Sequence, residues 1–354
     1  MSPPNERAAA EARDGVPDDP PLAFHRRVEP MCLDRLRDAL DPATQVFERQ
    51  LRHGLWARTQ GTEDLTGTAI CLLGIHRAGV DPAALSLDPR RSIAALVERW
   101  RARAYPGALG LLVWANAVWD ALPLERLLGT LGVSAGHLGD AGGPLTTMEA
   151  AWLVSGLAHE ARRSGVPWLR VAIETAVAGL LARQHPGTHL FEHATEAAPL
   201  AHRLRRHVAN FADQIYAVQA TALAAPRVGA VALAASRACA ARLVSLQGEL
   251  GQWWWHYDPP AARARGYAWV EANETGRSLV DEPAGTVWRG VERLEPTVAR
   301  VARHARSVAR WHAPDAAPPR LRVNRETRPY EWAWCLFAGA LTAEASPRPQ
   351  GSAA

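Results

Sequence analysis

Not one of the 354 residues is a lysine, so all 40 basic side chains are arginines, set against 36 acids for a formal net charge of +4. The arginines are interleaved with acids instead of gathered in one stretch, which argues against a nucleic-acid reader. Cysteine is equally sparse. Cys32, Cys71, Cys239 and Cys335 stand singly, mostly in apolar stretches, with no Cys-x-x-Cys pair. That excludes a disulfide scaffold and zinc-type spacing, and reads as small buried hydrophobes in a reducing compartment. No apolar run reaches the ~18 residues that a spanning helix needs. Residues 1–21 are polar and acidic with five prolines, unlike a secretory signal. A cytoplasmic protein with no membrane partner is expected. Also missing are a Gly-rich dinucleotide fingerprint, a Walker loop, a Gly-x-Ser-x-Gly elbow and a His-Glu-x-x-His pair. Nucleotide-dependent and serine-hydrolase chemistry lose their main support, and no cofactor is expected.

What remains is a chain that is 48% hydrophobic and 21% charged, enough for a substantial core. Residues 1–28 and 345–354 carry too little apolar surface to order themselves and read as tails around one body, 29–344. Helical periodicity dominates that body. In 167–184, Leu169, Ala172, Ile173, Ala176, Val177 and Leu180 fall at steps of three and four behind Pro167. Thr146 and Glu149 form a capping-box pattern ahead of Trp152, Leu153 and Leu157. Similar stripes start at His207 and at Val231. Weaker patterns predict helices over 33–40, 43–58, 65–78, 91–103, 108–122, 297–311 and 329–341, and convincing period-two strands are absent.

Spacing adds a repeat. Leu180-x-x-x-Gln184-x-x-Gly187 is echoed by Leu243-x-x-x-Gln247-x-x-x-Gly251-x-Trp253, 63 residues from glutamine to glutamine, and Trp56-x-x-x-Gln60-Gly61 lies 124 residues before Gln184. A unit of this length holds two helices that bury their faces only by stacking on neighbours. Leu243, Gln247, Gly251 and Trp253 resemble the QW repeat of squalene and terpene cyclases. The train of hairpins is similar to the α/α toroid that those enzymes share with protein prenyltransferases and six-hairpin glycosidases. The resemblance implies an all-α toroid of about five to six helical hairpins with its site at one open end. The cyclase acid motif Asp-x-Asp-Asp is missing, since the only adjacent aspartates are Asp18 and Asp19. Fold carries over, activity does not.

Candidate site residues follow from that frame. Trp253, Trp254 and Trp255 are followed by His256, Tyr257 and Asp258, a segment expected to end a helix and open a rim loop. Three consecutive indoles cannot share one core face. They offer a platform for sugar rings or polyenes, with His256 and Asp258 for proton transfer. The alternative is a clasp between hairpins. His185, His189 and His193 sit at steps of four, but Pro186 and Gly187 break the alignment, so no metal is expected and Glu192 with His193 reads as a polar pocket wall. Asn210, Asp213 and Gln214 lie beside an apolar stripe. Buried, they either line a wet cavity or bond hairpins together. Asp213 is the leading general acid or base. Arg328 and Tyr330 could grip an anion and stack on a ring, or belong to a latch in which Arg328 pairs Glu331 while the nearby tryptophans join the first hairpin. Glu149 and His159 read as cap and surface. A carbohydrate-active or carbohydrate-binding toroid, hydrolase, lyase or epimerase, with an oligosaccharide or other small ligand, is the leading expectation. A non-catalytic binding module and a terpene cyclase-like enzyme are the alternatives.

Overall fold

A computed structural model describes residues 20–52, 55–58, 63–139, 144–247, 253–269, 326–330, 332, 333 and 336. The helices are α1 (Pro20–Ala39), α2 (Glu63–Arg77), α3 (Pro89–Ala102), α4 (Leu109–Trp119), α5 (Leu124–Leu131), α6 (Ala135–Gly139), α7 (Thr147–Ser164), α8 (Leu169–Leu181), the single turn α9 (Leu200–Arg203), α10 (Phe211–Val228) and α11 (Ala230–Ser245). A last helical stretch includes Pro329, Tyr330, Trp332, Ala333 and Leu336. No described helix is long and apolar enough to cross a membrane.

Two kinds of helix alternate. On α3, Ile93, Leu96, Val97 and Trp100 are buried at steps of three and four while Glu98 and Arg101 face out. On α4, by contrast, every residue from Leu109 to Ala117 is buried. Its one polar side chain there, Asn116, donates to the Leu122 carbonyl at 2.9 Å and accepts from the Leu122 N–H at 3.0 Å. An amphipathic helix needs one neighbour, whereas a helix that is apolar all round needs neighbours on every side. Accordingly α2 packs on α4, α4 on α7 and α7 on α10 as an inner ring, with α3, α8 and α11 outside it. An outer helix returns the chain between consecutive inner ones. The inner helices therefore run parallel, and their N-termini collect at one end.

The tightest inner contact is made by glycines. A Cβ on Gly156 of α7 would lie 2.5 Å from the Gly110 carbonyl oxygen of α4, so neither helix has room for a side chain at the crossing.

Strands occupy the rim. They are β1 (Leu40–Asp41), β2 (Val46–Phe47), β3 (Arg49–Arg52), β4 (Leu55–Arg58), β5 (Ala209–Asn210), β6 (Trp253–Asp258), β7 (Arg263–Trp269) and β8 (Glu326–Thr327). One sheet runs β4-β3-β8 and another β5-β6-β7, all antiparallel. The first closes the ring: Leu51 pairs with Thr327, Trp332 meets Trp56 edge-on at 5.8 Å, and a Cβ on Gly74 of α2 would come within 2.9 Å of Ala333.

Four expectations need correction. The helix expected over 43–58 is instead a turn followed by β2, β3 and β4. Asp41 accepts the N–H groups of Ala43 and Thr44 at 2.7 and 3.2 Å, an Asx turn that competes with helix initiation, and Gln45 takes a left-handed φ of 59°. The Trp253–Asp258 segment is a strand, as its run of aromatics favours. Residues 263–269 are also a strand, although convincing period-two strands were not expected, so strands are far from negligible at the rim. Finally, α1 begins at Pro20, inside the residues expected to be tail. The expected helix over 297–311 lies outside the described residues.

The glycine crossing yields a paired test. Gly156→Ala should destabilise by about 1–3 kcal/mol through overpacking. Gly129→Ala, on α5 with nothing within 4 Å of the new Cβ, should stabilise by about 0.4–1 kcal/mol. Urea unfolding of both variants checks the contrast, and equal effects would mean the crossing is not closely packed.

Candidate functional site

At the end where the inner helices begin, the first turns of α7 and α10 carry polar groups. On α7, Thr146 accepts the Glu149 N–H, while Glu149 takes the Thr146 N–H at 2.7 Å and the Thr146 hydroxyl at 2.9 Å. Glu149 also receives the Tyr105 hydroxyl, from the segment leading into α4, and burial together with this carboxylate pushes the Tyr105 phenol up. On α10, Asn210 and Asp213 form the equivalent box, with the Asp213 N–H donating to Asn210 at 2.7 Å and the Asn210 N–H to Asp213 at 3.0 Å.

Asp213 reaches beyond its own helix. It is fully buried, and its second oxygen accepts the Met148 N–H of α7 at 3.1 Å. It also accepts from His193 Nδ1 at 2.9 Å. His193 Nε2 lies 3.3 Å from His202 Nδ1. Burial opposes the charge on His193, but the hydrogen bond and charge of Asp213 outweigh it and raise the imidazole pKa above its ordinary value. The His193 loop is clamped from three sides. Its carbonyl accepts the Thr147 N–H at 2.8 Å, the Thr147 hydroxyl bonds the Glu192 carbonyl, and Gln214 exchanges two bonds with the Phe191 backbone at 2.7 and 2.8 Å. Arg183, also buried, donates to the Leu145 carbonyl at 2.9 Å; burial pulls its pKa down to about 10 against the pull of Asp213 and Glu149. Glu192 pairs with Arg206 at 3.2 Å and is raised by burial.

The geometry brings together Asn210, Asp213, His193, Glu192 and His256. His256 is the register partner of Asn210 across β5 and β6, and is lowered by burial and then by Arg205. Asp258 is held apart in the β6–β7 turn, accepting from Ala261 N at 3.2 Å and Arg263 Nε at 3.4 Å. Among the aromatics, Trp253 is sealed against Phe211 with ring centres 5.3 Å apart, and Tyr257 is sealed with its hydroxyl accepting the Trp254 N–H at 3.3 Å. Trp254 Nε1 donates to the Leu246 carbonyl at 3.0 Å, which straps β6 to the end of α11 as a clasp does. Trp255, half-buried, stands edge-on to His256 at 5.8 Å. Arg328 donates to the Tyr330 hydroxyl at 3.0 Å at the start of the last inner stretch. Trp332 joins Trp56 as a latch would, while Glu331 and Trp334 lie outside the described residues.

Gln184 and Gln247 each follow the end of an outer helix, and Gln184 donates to the carbonyls of His189 and Ala235. His185 bonds Thr188, and no cluster that could hold a metal occurs among the described residues. His159, read as a surface residue, is instead stacked on Trp114 at 5.4 Å. Tyr105 and Arg183 carry no sequence signal, because their partners Glu149 and Leu145 lie 44 and 38 residues away, and His202 meets His193 only through the fold of the loop between them.

No family model matches the chain, and no curated protein matches it in sequence. Solved structures do match in shape. An unsaturated glucuronyl hydrolase specific for heparin superposes with a TM-score of 0.64 at 13% identity, covering 92% of this chain and 98% of that one. A sugar epimerase from a ruminal bacterium gives 0.63 at 9% identity, covering 92% and 100%. The cellobiose 2-epimerase of Bacillus thermoamylovorans B4167 gives 0.62 at 10% identity, covering 89% and 97%. The chain has their fold, an α/α toroid of paired helices.

His193 supplies the test of this geometry. Its raised pKa means the stabilisation from the charged pair with Asp213 is fully present below the ordinary imidazole value of about 6.5 and is lost as pH rises through the raised one. The stability difference between wild type and His193→Gln, measured by urea unfolding, should therefore shrink with rising pH. A difference that stays flat from pH 5 to 9 would mean that the pair carries no charge.

Proposed function

We propose that this chain is a carbohydrate-active enzyme whose site lies at the N-terminal end of the inner helices, with His193 as the group that moves a proton. The observation that carries this reading is the buried Asp213–His193 pair, 2.9 Å apart and clamped on three sides. An imidazole whose Nδ1–H is fixed on a carboxylate has its Nε2 aimed in one direction and a basicity tuned toward neutrality. Asp213 acts through His193, since the aspartate is fully buried and already accepts two backbone N–H groups. His256 and His202 are neighbouring groups for the reverse transfer, Asn210 and Glu192 bind hydroxyls, and Trp255 is the stacking wall. Arg328 and Tyr330 stand at the start of the last inner stretch and belong to the same rim. The names of the matched structures, a glucuronyl hydrolase and two sugar epimerases, support an oligosaccharide or uronic acid as ligand and hydrolysis or epimerisation as reaction. We take the body of the protein to begin with α1 at Pro20 and to run to 344, and place its working compartment in the cytoplasm, where free Cys32, Cys71 and Cys239 stay reduced.

A second reading, a binding module without turnover, is favoured by the same burial of Asp213 and by the packing of Trp253 and Tyr257 into the core. One set of measurements separates them. A thermal-shift screen of oligosaccharides and uronic acids identifies a ligand, because binding to the folded state raises its melting temperature. With that ligand, Trp255→Ala should weaken binding by about 1–3 kcal/mol. His193→Gln should lower turnover on the order of 10²–10⁴-fold with binding largely intact. Incubation in heavy water then discriminates the reactions: deuterium on a ring carbon marks epimerisation, and its absence with release of a reducing end marks hydrolysis. Binding with neither outcome establishes the module.

A further inference from the structure

The His193 ring has two nitrogens, and both are engaged. Nδ1 lies 2.9 Å from Asp213, a carboxylate that also takes the backbone N–H groups of Met148 and Asn210. An ionised carboxylate can only accept, so His193 holds its proton on Nδ1 and leaves Nε2 as a bare acceptor. That acceptor faces His202 Nδ1 at 3.3 Å. The ring centres stand 5.4 Å apart with planes tilted by 47°, so the two imidazoles meet nitrogen to nitrogen and not face to face. An imidazole nitrogen offers one lone pair or one N–H, in the plane of the ring. His193 Nε2 therefore has no second direction in which to meet a ligand.

His202 is placed by its own loop. It sits on the single turn α9, its N–H donating to the Pro199 carbonyl at 2.9 Å and its carbonyl accepting the Arg205 N–H at 3.1 Å. The loop is tied back to His193 itself, whose N–H donates to the Arg206 carbonyl at 2.9 Å. His193 is buried, whereas His202 is partly exposed, and its Nε2 has no bond among the described residues. The other titratable and charged groups near the pair are Glu149 on α7, Arg205 and Arg206 on the loop, and His256 on β6; Arg206 is held by Glu192 and Glu196.

We propose that Asp213, His193 and His202 form a one-proton relay whose outlet is His202 Nε2, so that His202 is the imidazole that meets the reacting sugar. The substrate rests on the enzyme reading above, and the path on the two nitrogen contacts. In the forward step the Nε2 lone pair of His202 takes a proton from the substrate, where the electron pair of the broken bond stays. The Nδ1–H of His202 passes to His193 Nε2 across the 3.3 Å contact, the kind that tightens when substrate is bound. His202 ends neutral with its proton on Nε2, and the positive charge rests on His193 beside ionised Asp213. The reverse step returns the proton along the same path.

The relay can be read without a sugar, by NMR of the ring nitrogens in the full chain with isotope-labelled histidines, the His202 signals being assigned by their loss in His202→Gln. At high pH both rings should carry their proton on Nδ1, the minority tautomer of free histidine. As His193 becomes charged, His202 should stay neutral and move its proton from Nδ1 to Nε2. In His193→Gln that switch should vanish and His202 should become charged directly; if this variant does not fold, the wild-type spectra decide. A His202 ring that holds its proton on Nε2 throughout, or that charges before His193 in the wild type, would overturn the relay. On oligosaccharides and uronic acids that are turned over, His202→Gln, which can still bond His193 but cannot pass a proton, should lower turnover on the order of 10²–10⁴-fold. Full turnover in that variant would overturn the outlet even with the switch in place. A tautomer switch with no sugar turned over would sink the enzyme reading alone.

Discussion

A helix enclosed on every side has no water to receive the N–H groups of its first turn, and the inner helices of this ring are so enclosed. On α7 and α10 the structure meets that constraint with carboxylates placed inside the first turns. Glu149 serves α7, and Asp213 serves α10 and, through the Met148 N–H, α7 as well. One side chain therefore satisfies backbone donors on two helices and sets their relative rotation. The polar end of the barrel follows from this capping need. His193 stands where it does because the carboxylate that it bonds was already required there.

Parallel packing extends the argument to the whole ring. Dipoles of helices that run the same way add instead of cancelling, so one end draws carboxylates and the other draws cations. Glu149 and Asp213 stand at the start of α7 and α10, and Arg77, Arg162 and Arg227 at the finish of α2, α7 and α10, where Glu160 and Asp120 are paired with Arg163.

How much of this was legible in the sequence depends on the range of the interaction. The α8 stripe and the Thr146–Glu149 box lie within one helix, and both stand as written in the order of residues. Repeat spacing pointed to stacked hairpins, because a hairpin that cannot bury its own faces must stack, and the toroid was what the resemblance to the QW repeat implied. Residues 43–58 went astray because Asp41 rewards a turn that periodicity does not see, and Trp253–Asp258 because a strand paired to Asn210 depends on a partner more than forty residues away. The site was half legible. Asn210, Asp213, His193 and His256 are brought together, but the full burial of Asp213 behind His193 depends on the tertiary packing, which no local pattern records. Arg183 and Tyr105 left no trace, since each takes its meaning from another hairpin.

The pairing of β3 with β8, with Trp56 against Trp332 and Gly74 against Ala333, joins the first hairpin to the last. During synthesis the first hairpin leaves the ribosome long before its closing partner exists, and the seam around Gly74 stays open while some 250 residues are added. The early hairpins must then persist as an open arc with apolar edges, a state prone to association with other chains. Closure is the contact of greatest sequence separation and so the slowest to form. Truncation near the C-terminus therefore removes more than one helix: it returns the ring to that arc.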